Sequence, residues 1–262
     1  MTNVIQAELY RLVRRRTIVI GGAVAVGFSF LAAFAIFAAA DSVGPRSTQG
    51  GTTLAQLAAA GGGTEAFAVG ASFASLLAFV SAIALIGNEF ANGTFRSLAL
   101  REPRRIRLIV GKFIGLAVVL AGMLLAAEAL TFVTSLLAAE WQGVSTDAWF
   151  STGAIGEAFA DFASTFAGLA GWMVLGTFLA VVFRSVPIAL AVGGAWAGPF
   201  ENITVDSWST GLRVFPGQVL RSVIAGGTTE LGLSQAVLRA TLYVAVAAAI
   251  TLAVVTRRDI TS

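Results

Sequence analysis

The chain has 262 residues, of which 57% are hydrophobic and 12% are charged, with a formal net charge of +3. A soluble domain carries roughly twice that share of charged residues, so the composition indicates a membrane protein. The chain has no cysteine and no histidine, which excludes a disulfide framework, thiolate catalysis and histidine-bound metal. Its basic residues are divided among separate segments beside apolar runs, so they do not predict a nucleic-acid partner.

Residues 2–16 precede the first apolar run and combine apolar and basic side chains at helical spacing. This spacing predicts an amphipathic helix on the inner leaflet, and a frayed basic anchor is the alternative. The apolar run that follows is about 24 residues long, whereas the core of a signal peptide has 7–15 residues. We therefore expect an uncleaved first membrane span.

Six apolar runs predict an all-α protein with six membrane-spanning helices. A bilayer core needs about 20 helical residues, and all runs but the fifth reach that length. The fifth run must therefore tilt little or continue into polar sequence at membrane depth. The predicted spans are residues 17–40, 66–87, 108–138, 158–183, 186–200 and 235–256.

The distribution of charge predicts the orientation of these spans. If the N-terminus is cytoplasmic, all but four of the 17 basic residues lie on the inner side, and most acidic residues, including Glu201, lie at or near the outer surface. The positive-inside rule therefore predicts that both termini are cytoplasmic, in a plasma or inner membrane. The four outer basic residues are Arg46, Arg213, Arg221 and Arg239.

Two of the predicted outer segments differ in character. Residues 41–65 are rich in Gly, Ser and Thr, which predicts a flexible loop. Residues 139–157 are short and acidic, and their Trp141 and Trp149 are placed as anchors at the membrane interface.

The third outer segment, residues 201–234, is divided by Pro216-Gly217 into two short amphipathic pieces. Such pieces could enter the outer leaflet and return as a re-entrant segment, provided that protein covers their backbone. A plain surface loop is the alternative.

Two pairs of glycines at four-residue spacing predict close helix packing in lipid. They are Gly111 with Gly115 in the third span and Gly194 with Gly198 in the fifth. The spacing leaves open whether the partner helix belongs to the same chain or to a second copy.

Glu128 lies near the middle of the third span, where a charge costs at least about 2.5 kcal/mol. It is either a group that lines a transport pathway or a neutral carboxyl that holds two helices together. Hydrogen-bond donors to this carboxyl are expected among Trp172, Thr177 and Ser135.

The loop of residues 88–107 concentrates basic residues and turn signals between two spans. Asn92-Gly93 predicts a sharp turn, after which Thr94 is expected to cap a short helix through about Leu100. Pro103 is expected to end that helix before the next begins near Arg104.

The side chains of this loop divide into three groups. Glu89 is expected within reach of several arginines. Phe95 and Leu98 are expected to face the membrane or neighbouring spans, whereas Arg96 and Arg101 face water. An ordinary inner loop that obeys the positive-inside rule is the alternative, but that rule requires no compact crossing helix.

Six spans, together with Glu89-x-x-x-Gly93-Thr94, Leu98, Pro103-Arg104 and Gly111-Lys112, resemble a permease of the ABC-2 exporter superfamily. The resemblance implies that residues 93–102 form a coupling helix that docks into a separate ATPase subunit, and that Glu89 braces this helix. It also implies the amphipathic N-terminal helix and the re-entrant segment. The coupling residues implied are Glu89, Gly93, Thr94, Phe95, Arg96, Leu98, Arg101, Pro103 and Arg104.

The energy source is expected in another chain. The sequence has no G-x-x-x-x-G-K-[ST] phosphate loop, so we expect no enzyme activity and no cofactor here, with ATP and Mg on the partner ATPase. The resemblance implies two permeases, identical or paralogous, with two ATPases. It also implies export of a hydrophobic or amphipathic drug, lipid or peptide.

Three other classes of function stay open. A stand-alone secondary transporter or channel would need polar groups deep in several spans, and only Glu128 qualifies. An intramembrane enzyme with a Ser-Lys dyad would need Lys112, the only lysine, which is expected at the inner rim. A membrane assembly protein without transport activity is the third.

Overall fold

The computed structural model describes residues 6, 9–10, 12–13, 15–40, 52–101 and 104–257, and all regular structure in those residues is helical. Short helical turns lie at Leu54–Leu57, Ala60–Gly63, Asp147–Phe150 and Trp196–Phe200, the last with π-type hydrogen bonding. The other helices are α1 (Arg15–Ala40), α2 (Glu65–Ala91), α3 (Thr94–Arg101), α4 (Arg105–Gln142), α5 (Thr152–Phe183), α6 (Val186–Ala195), α7 (Glu201–Ser207), α8 (Gly211–Val214), α9 (Pro216–Ile224) and α10 (Leu233–Arg257).

Four helices in the described ranges are long and apolar enough to cross a membrane, namely α2, α4, α5 and α10. The shorter apolar segment Val26–Ala40 belongs to α1. The predicted class, an all-α membrane protein, is confirmed, while six spans and their orientation stay predictions. The predicted amphipathic helix of residues 2–16 lies largely outside the described residues.

The helices pack as two close pairs, α2 with α5 and α1 with α4, and α9 and α10 pack on α5. Glycine permits the first pairing, because a Cβ at Gly176 of α5 would lie only 2.6 Å from the carbonyl oxygen of Phe79 on α2. The Phe79 ring in turn occupies the space beside Gly193 of α6. Backbones that approach this closely gain dispersion contacts, which are a main source of helix association in lipid.

The two glycine pairs that the sequence singles out differ in outcome, because Gly111 and Gly115 are buried whereas the second pair makes no close contact. A Cβ at Gly194 or Gly198 would meet no atom within 4 Å, so this pair packs against nothing in the described structure. The neighbouring Gly193 makes the close contact within the subunit instead. Spacing identifies glycines that share a helix face, but the face that packs depends on the rest of the fold.

The second half of the predicted flexible loop is packed against the rest of the chain. Leu57 is buried, and its carbonyl oxygen accepts a 2.9 Å hydrogen bond from the indole nitrogen of Trp149. The prediction of a flexible loop is therefore wrong for residues 52–65, and Trp149 is a buried core residue and not an interfacial anchor. Residues 41–51 lie outside the described residues.

The glycines of this segment serve close packing. Gly62 and Gly63 are buried, and a Cβ at Gly62 would collide with the backbone of Leu57. A Cβ at Gly63 would lie 2.7 Å from the Phe132 ring. Glycine allows both flexibility and close approach, and only the three-dimensional neighbours decide between them.

The short fifth apolar run continues as helix into polar sequence. α6, the π-type turn and α7 follow one another without interruption from Val186 to Ser207, about 33 Å at 1.5 Å per residue. The turn contains Pro199, whose missing N–H suits a locally widened helix. The expected continuation is present, and its depth in the membrane stays a prediction.

The segment after α7 folds back along α5. Glu201 is fully buried, and its carboxylate accepts 3.1 Å hydrogen bonds from the backbone N–H groups of Gly217 and Gln218 at the start of α9. A carboxylate is favourable there because it satisfies free amides at the positive end of the helix dipole. α9 therefore covers Glu201, and the expectation that this residue lies near the outer surface of the membrane stays a prediction.

The start of α9 lies beside the middle of α5. A Cβ at Gly217 would lie 3.0 Å from the ring of Trp172. Trp172 in turn lies about 30 Å from the first residue of α5, at 1.5 Å per residue. The predicted division at Pro216 is present, with α8 before it and α9 after it. This depth favours the re-entrant interpretation of residues 201–234, which stays a prediction.

Candidate functional site

The crossing helix α3 begins at a sharp turn, as Asn92-Gly93 predicts. Gly93 has φ of 68°, in the left-handed region that glycine adopts without strain. Its carbonyl oxygen accepts the amides of Arg96 and Ser97 at 3.1 and 3.3 Å. Gly93 is therefore the N-cap residue, and the prediction that Thr94 caps the helix is wrong by one position, because Thr94 is already helical.

One face of α3 is fixed to the long helices through Phe95. This side chain is 2% exposed and belongs to a cluster with Leu108 and Ile109 of α4, Val181 of α5 and other buried residues. Phe90 of α2 stacks on its ring at a centroid distance of 4.5 Å. The expectation that Phe95 packs against neighbouring spans is confirmed.

The opposite face of α3 is open to solvent. Arg96 and Ser97 are exposed, as is Thr94, and the side chain of Leu100 is 80% exposed. Leu98 is half-buried and packs at the edge of the Phe95 cluster. The sequence analysis assigned no role to Leu100. Its position as an apolar residue on a short helix with two arginines is the signal that could have identified it as a candidate contact residue.

A buried ion pair joins α2 to α4 beside α3. The ammonium of Lys112 lies 2.8 Å from a carboxylate oxygen of Glu89, and the two side chains are 4% and 5% exposed. The sequence predicts arginines within reach of Glu89 and places Lys112 at the inner rim of the membrane. In the structure, Lys112 makes this contact with Glu89. Because both charges are desolvated, the loss of either one would remove a close counter-charge from the other.

The short turn between α5 and α6 packs against the same end of α2. A Cβ at Gly87 would lie 2.7 Å from a methyl group of Val186, so glycine is required there for the two backbones to approach. The guanidinium of Arg184 lies 5.8 Å from the centroid of the Phe90 ring, within cation–π range. Arg184 itself has φ of 50°, which lets α5 turn abruptly into α6.

The C-terminal side of α3 is defined less fully. Arg101 is its last residue, and Pro103 lies outside the described residues. Arg104 is exposed and immediately precedes α4, as expected. Arg105 donates a 3.2 Å hydrogen bond to the carbonyl oxygen of Val255 on α10, so the start of α4 is also joined to the last long helix.

Glu128 lies away from this site, about 24 Å from Lys112 along α4 at 1.5 Å per residue. Within the part of the chain that the structure describes, one of its carboxylate oxygens is buried without a hydrogen bond, and the donor atoms of Trp172, Thr177 and Ser135 are likewise unbonded. The expectation that one of these three donates to Glu128 is therefore wrong. In the described ranges, no three acidic side chains are grouped so as to hold a metal ion.

Asp161 of α5 is the charged neighbour that sequence reasoning missed. Its carboxyl group interacts electrostatically with that of Glu128. The hydroxyl of Thr64 donates a 2.7 Å hydrogen bond to Asp161 and thereby fixes its orientation. Two carboxyl groups from different helices thus share one region of the helix bundle.

Comparison with known proteins bears on the region around α3, and not on the region of Glu128 and Asp161 alone. A family model described as ABC-2 family transporter protein matches residues 4–197, which include α3 and the Glu89–Lys112 pair. No curated protein matches the chain.

Proposed function

The chain belongs to the ABC-2 family of transporter proteins and is a transmembrane component of an ABC-type transporter, and from this premise we propose that it is the permease subunit of an exporter. ABC-2 permeases generally work with an ATPase subunit. We propose that α3 is the coupling helix that docks into such a subunit, and that ATP and Mg are bound there. The chain spans the membrane six times with both termini and α3 on the cytoplasmic side.

The observation that carries this proposal is the two-sided character of α3. Its Phe95 is buried among residues of α2, α4, α5 and α10, whereas Arg96, Ser97 and Leu100 are exposed. An exposed leucine beside arginine suits a protein partner, because burial of both gives apolar area and charge-assisted hydrogen bonds. A push on the exposed face would pass through Phe95 into the long helices.

The substrate and assembly are proposed from the same premise. Two copies of the chain, or one copy and a paralogue, enclose a cavity whose access alternates as the ATPases close. The predominance of apolar side chains on the long helices favours a hydrophobic or amphipathic drug, lipid or peptide. Glu89 and Lys112 hold the inner ends of α2 and α4 together while α3 moves.

The experiment separates docking from coupling. The full-length chain is tagged, its ATPase subunit is identified by co-purification, and the complex is reconstituted in vesicles. Leu100→Ala should lower the affinity for the ATPase by about tenfold or more, the effect of about 1.4 kcal/mol. Leu238→Ala, which truncates a leucine that is 73% exposed on α10, is the matched control and should leave affinity unchanged.

Phe95→Ala tests the second step. The variant keeps the exposed face, so it should still bind the ATPase, but ATP hydrolysis should no longer drive transport. Equal affinity of the Leu100→Ala variant and the natural chain would contradict docking through α3. Unimpaired transport by a stably inserted Phe95→Ala variant would contradict the coupling route.

The closeness of Glu128 and Asp161 favours a second candidate, an ion-coupled secondary transporter. Carboxyl groups that share a membrane region are typical of proton pathways. Under this candidate, the purified chain alone would carry a proton-driven flux, and Glu128→Gln would abolish it. Transport that needs the ATPase and keeps its pH dependence in the Glu128→Gln variant would exclude this candidate and leave Glu128 a structural role.

A further inference from the structure

A groove of about 490 Å³ lies between α5, α6, the start of α9 and α10, outside the site described above. Its floor contains the buried Leu175, Leu179 and Ala247, and its walls include the exposed Val192 and Val246. Ala247 adds to the depth of the floor because its side chain is small. Its volume lies within the usual range of ligand sites, and nearly all of its lining is apolar.

Two residues that line the groove offer a ligand no free hydrogen-bond donor. The hydroxyl of Tyr243 donates to the carbonyl oxygen of Val214 at 2.5 Å, and Pro216 presents no N–H. A ligand in the groove therefore gains apolar contact and little hydrogen bonding.

Two arginines lie at one end of the groove. Arg239 is one helical turn before Tyr243 on α10 and donates to the carbonyl oxygen of Arg213, three residues before Pro216. The Arg213 side chain is 52% exposed and pairs with Glu230 at 3.0 Å. Among the described residues, Glu230 is the ion-pair partner found for these two cations at this rim, which favours an anionic group above the groove.

The length of the groove matches one leaflet of a bilayer. Ile250, at the far end of the groove, lies 11 residues after Arg239, or about 16 Å along α10. The hydrocarbon core of a bilayer is about 30 Å thick, so the distance from Arg239 to the far end of the groove covers about half of it. A molecule with a charged head at the arginines and a tail in the groove would lie in register with the surrounding lipid.

We propose that this groove binds a membrane phospholipid, with one acyl chain against Leu179 and Ala247 and the phosphate at Arg239 and Arg213. The chemistry is that of a lipid site: an apolar channel of one-leaflet length below a cationic rim. The proposal requires only that α10 lies in the membrane. It does not depend on ATPase coupling or on the direction of transport.

The test uses the full-length chain in vesicles of equimolar phosphatidylcholine and phosphatidylglycerol that contain a phosphatidylglycerol with a photoactivatable acyl chain. Adducts are mapped by mass spectrometry and should concentrate on the groove. Val192→Trp and Val246→Trp fill the groove and should remove most of these adducts. Leu238→Trp adds the same bulk on α10 outside the groove and should leave them unchanged.

Arg239→Gln tests the headgroup contact. It should lower retention of phosphatidylglycerol through a detergent wash about fivefold, the usual effect of one arginine on an anionic lipid, with a smaller effect on phosphatidylcholine. The proposal would be overturned if the adducts were spread evenly over all exposed apolar residues, or if neither groove-filling variant reduced them. Either result would show annular lipid only. Because the chain has no cysteine, Val246→Cys offers a further check, and a disulfide between two copies there would assign the groove to a second copy.

Discussion

Replacement of the buried Glu89–Lys112 pair tests how α2 and α4 are held together. Lys112→Met keeps much of the side-chain volume but leaves the Glu89 carboxylate buried without this cation, and Glu89→Leu leaves the ammonium without this anion. Loss of one partner of a buried pair typically costs about 3–5 kcal/mol. Replacement of both charges by apolar groups is often nearly neutral, so the double variant should lose less free energy of unfolding than either single variant.

The assay is unfolding in a denaturing detergent, followed by fluorescence of the five tryptophans, for the four members of the double-mutant cycle. The exposed pair of Arg213 and Glu230 is the matched control. Its N–O distance of 3.0 Å is close to the 2.8 Å of the buried pair, but its side chains are 52% and 48% exposed. Exposed pairs contribute about 0–1 kcal/mol, so the same cycle should give little coupling there.

Two results would refute this reasoning. One is a loss below about 1 kcal/mol in both single variants of the buried pair, the level expected for a surface pair. The other is a double variant whose loss equals the sum of the single losses, because additivity means that the two groups do not interact. A stable double variant would also show whether transport needs the charges themselves or only a well-packed contact.

Three further variants test local features of the fold. Gly176→Ala places a Cβ 2.6 Å from a backbone oxygen of α2 and should cost about 1–3 kcal/mol, whereas Gly122→Ala, which meets no atom within 4 Å, should not destabilise the chain in the same unfolding assay. Gly93→Ala forces a left-handed backbone on a residue with a Cβ and should cost about 1 kcal/mol, less than Gly93→Val. Glu201→Ala leaves two amides at the start of α9 unbonded, so hydrogen exchange there should accelerate, while Glu230→Ala at the exposed pair should not change it.

The elements that the sequence predicted well depend on local chemistry. Hydrophobic runs define the long helices, since a helix in lipid must satisfy its own backbone and present apolar side chains throughout. The turn at Gly93 follows from the two residues that form it, and the buried Phe95 follows from its position on a short amphipathic helix. None of these features needs information from distant parts of the chain.

The features that the sequence missed depend on which helices meet. Lys112 lies 23 residues after Glu89, and nothing in either segment shows that the packing of α2 on α4 will bury both. Glu201 looks like a surface acid until α9 folds over it. Asp161 interacts electrostatically with Glu128 only because the fold brings α5 beside α4.

Under the proposed function, the position of α3 makes docking and coupling separable steps. Phe95 contacts a cluster that includes Leu108 of α4 and Val181 of α5, so it reaches both of the close helix pairs, α1 with α4 and α2 with α5. The Glu89–Lys112 pair joins the same two pairs at the same end of the bundle. A force on the exposed face of α3 is therefore delivered to both pairs together, and it passes through Phe95. Truncation of Leu100 should lower the affinity of the ATPase for α3. Truncation of Phe95 should leave that affinity unchanged but remove the side chain through which α3 contacts the helix bundle.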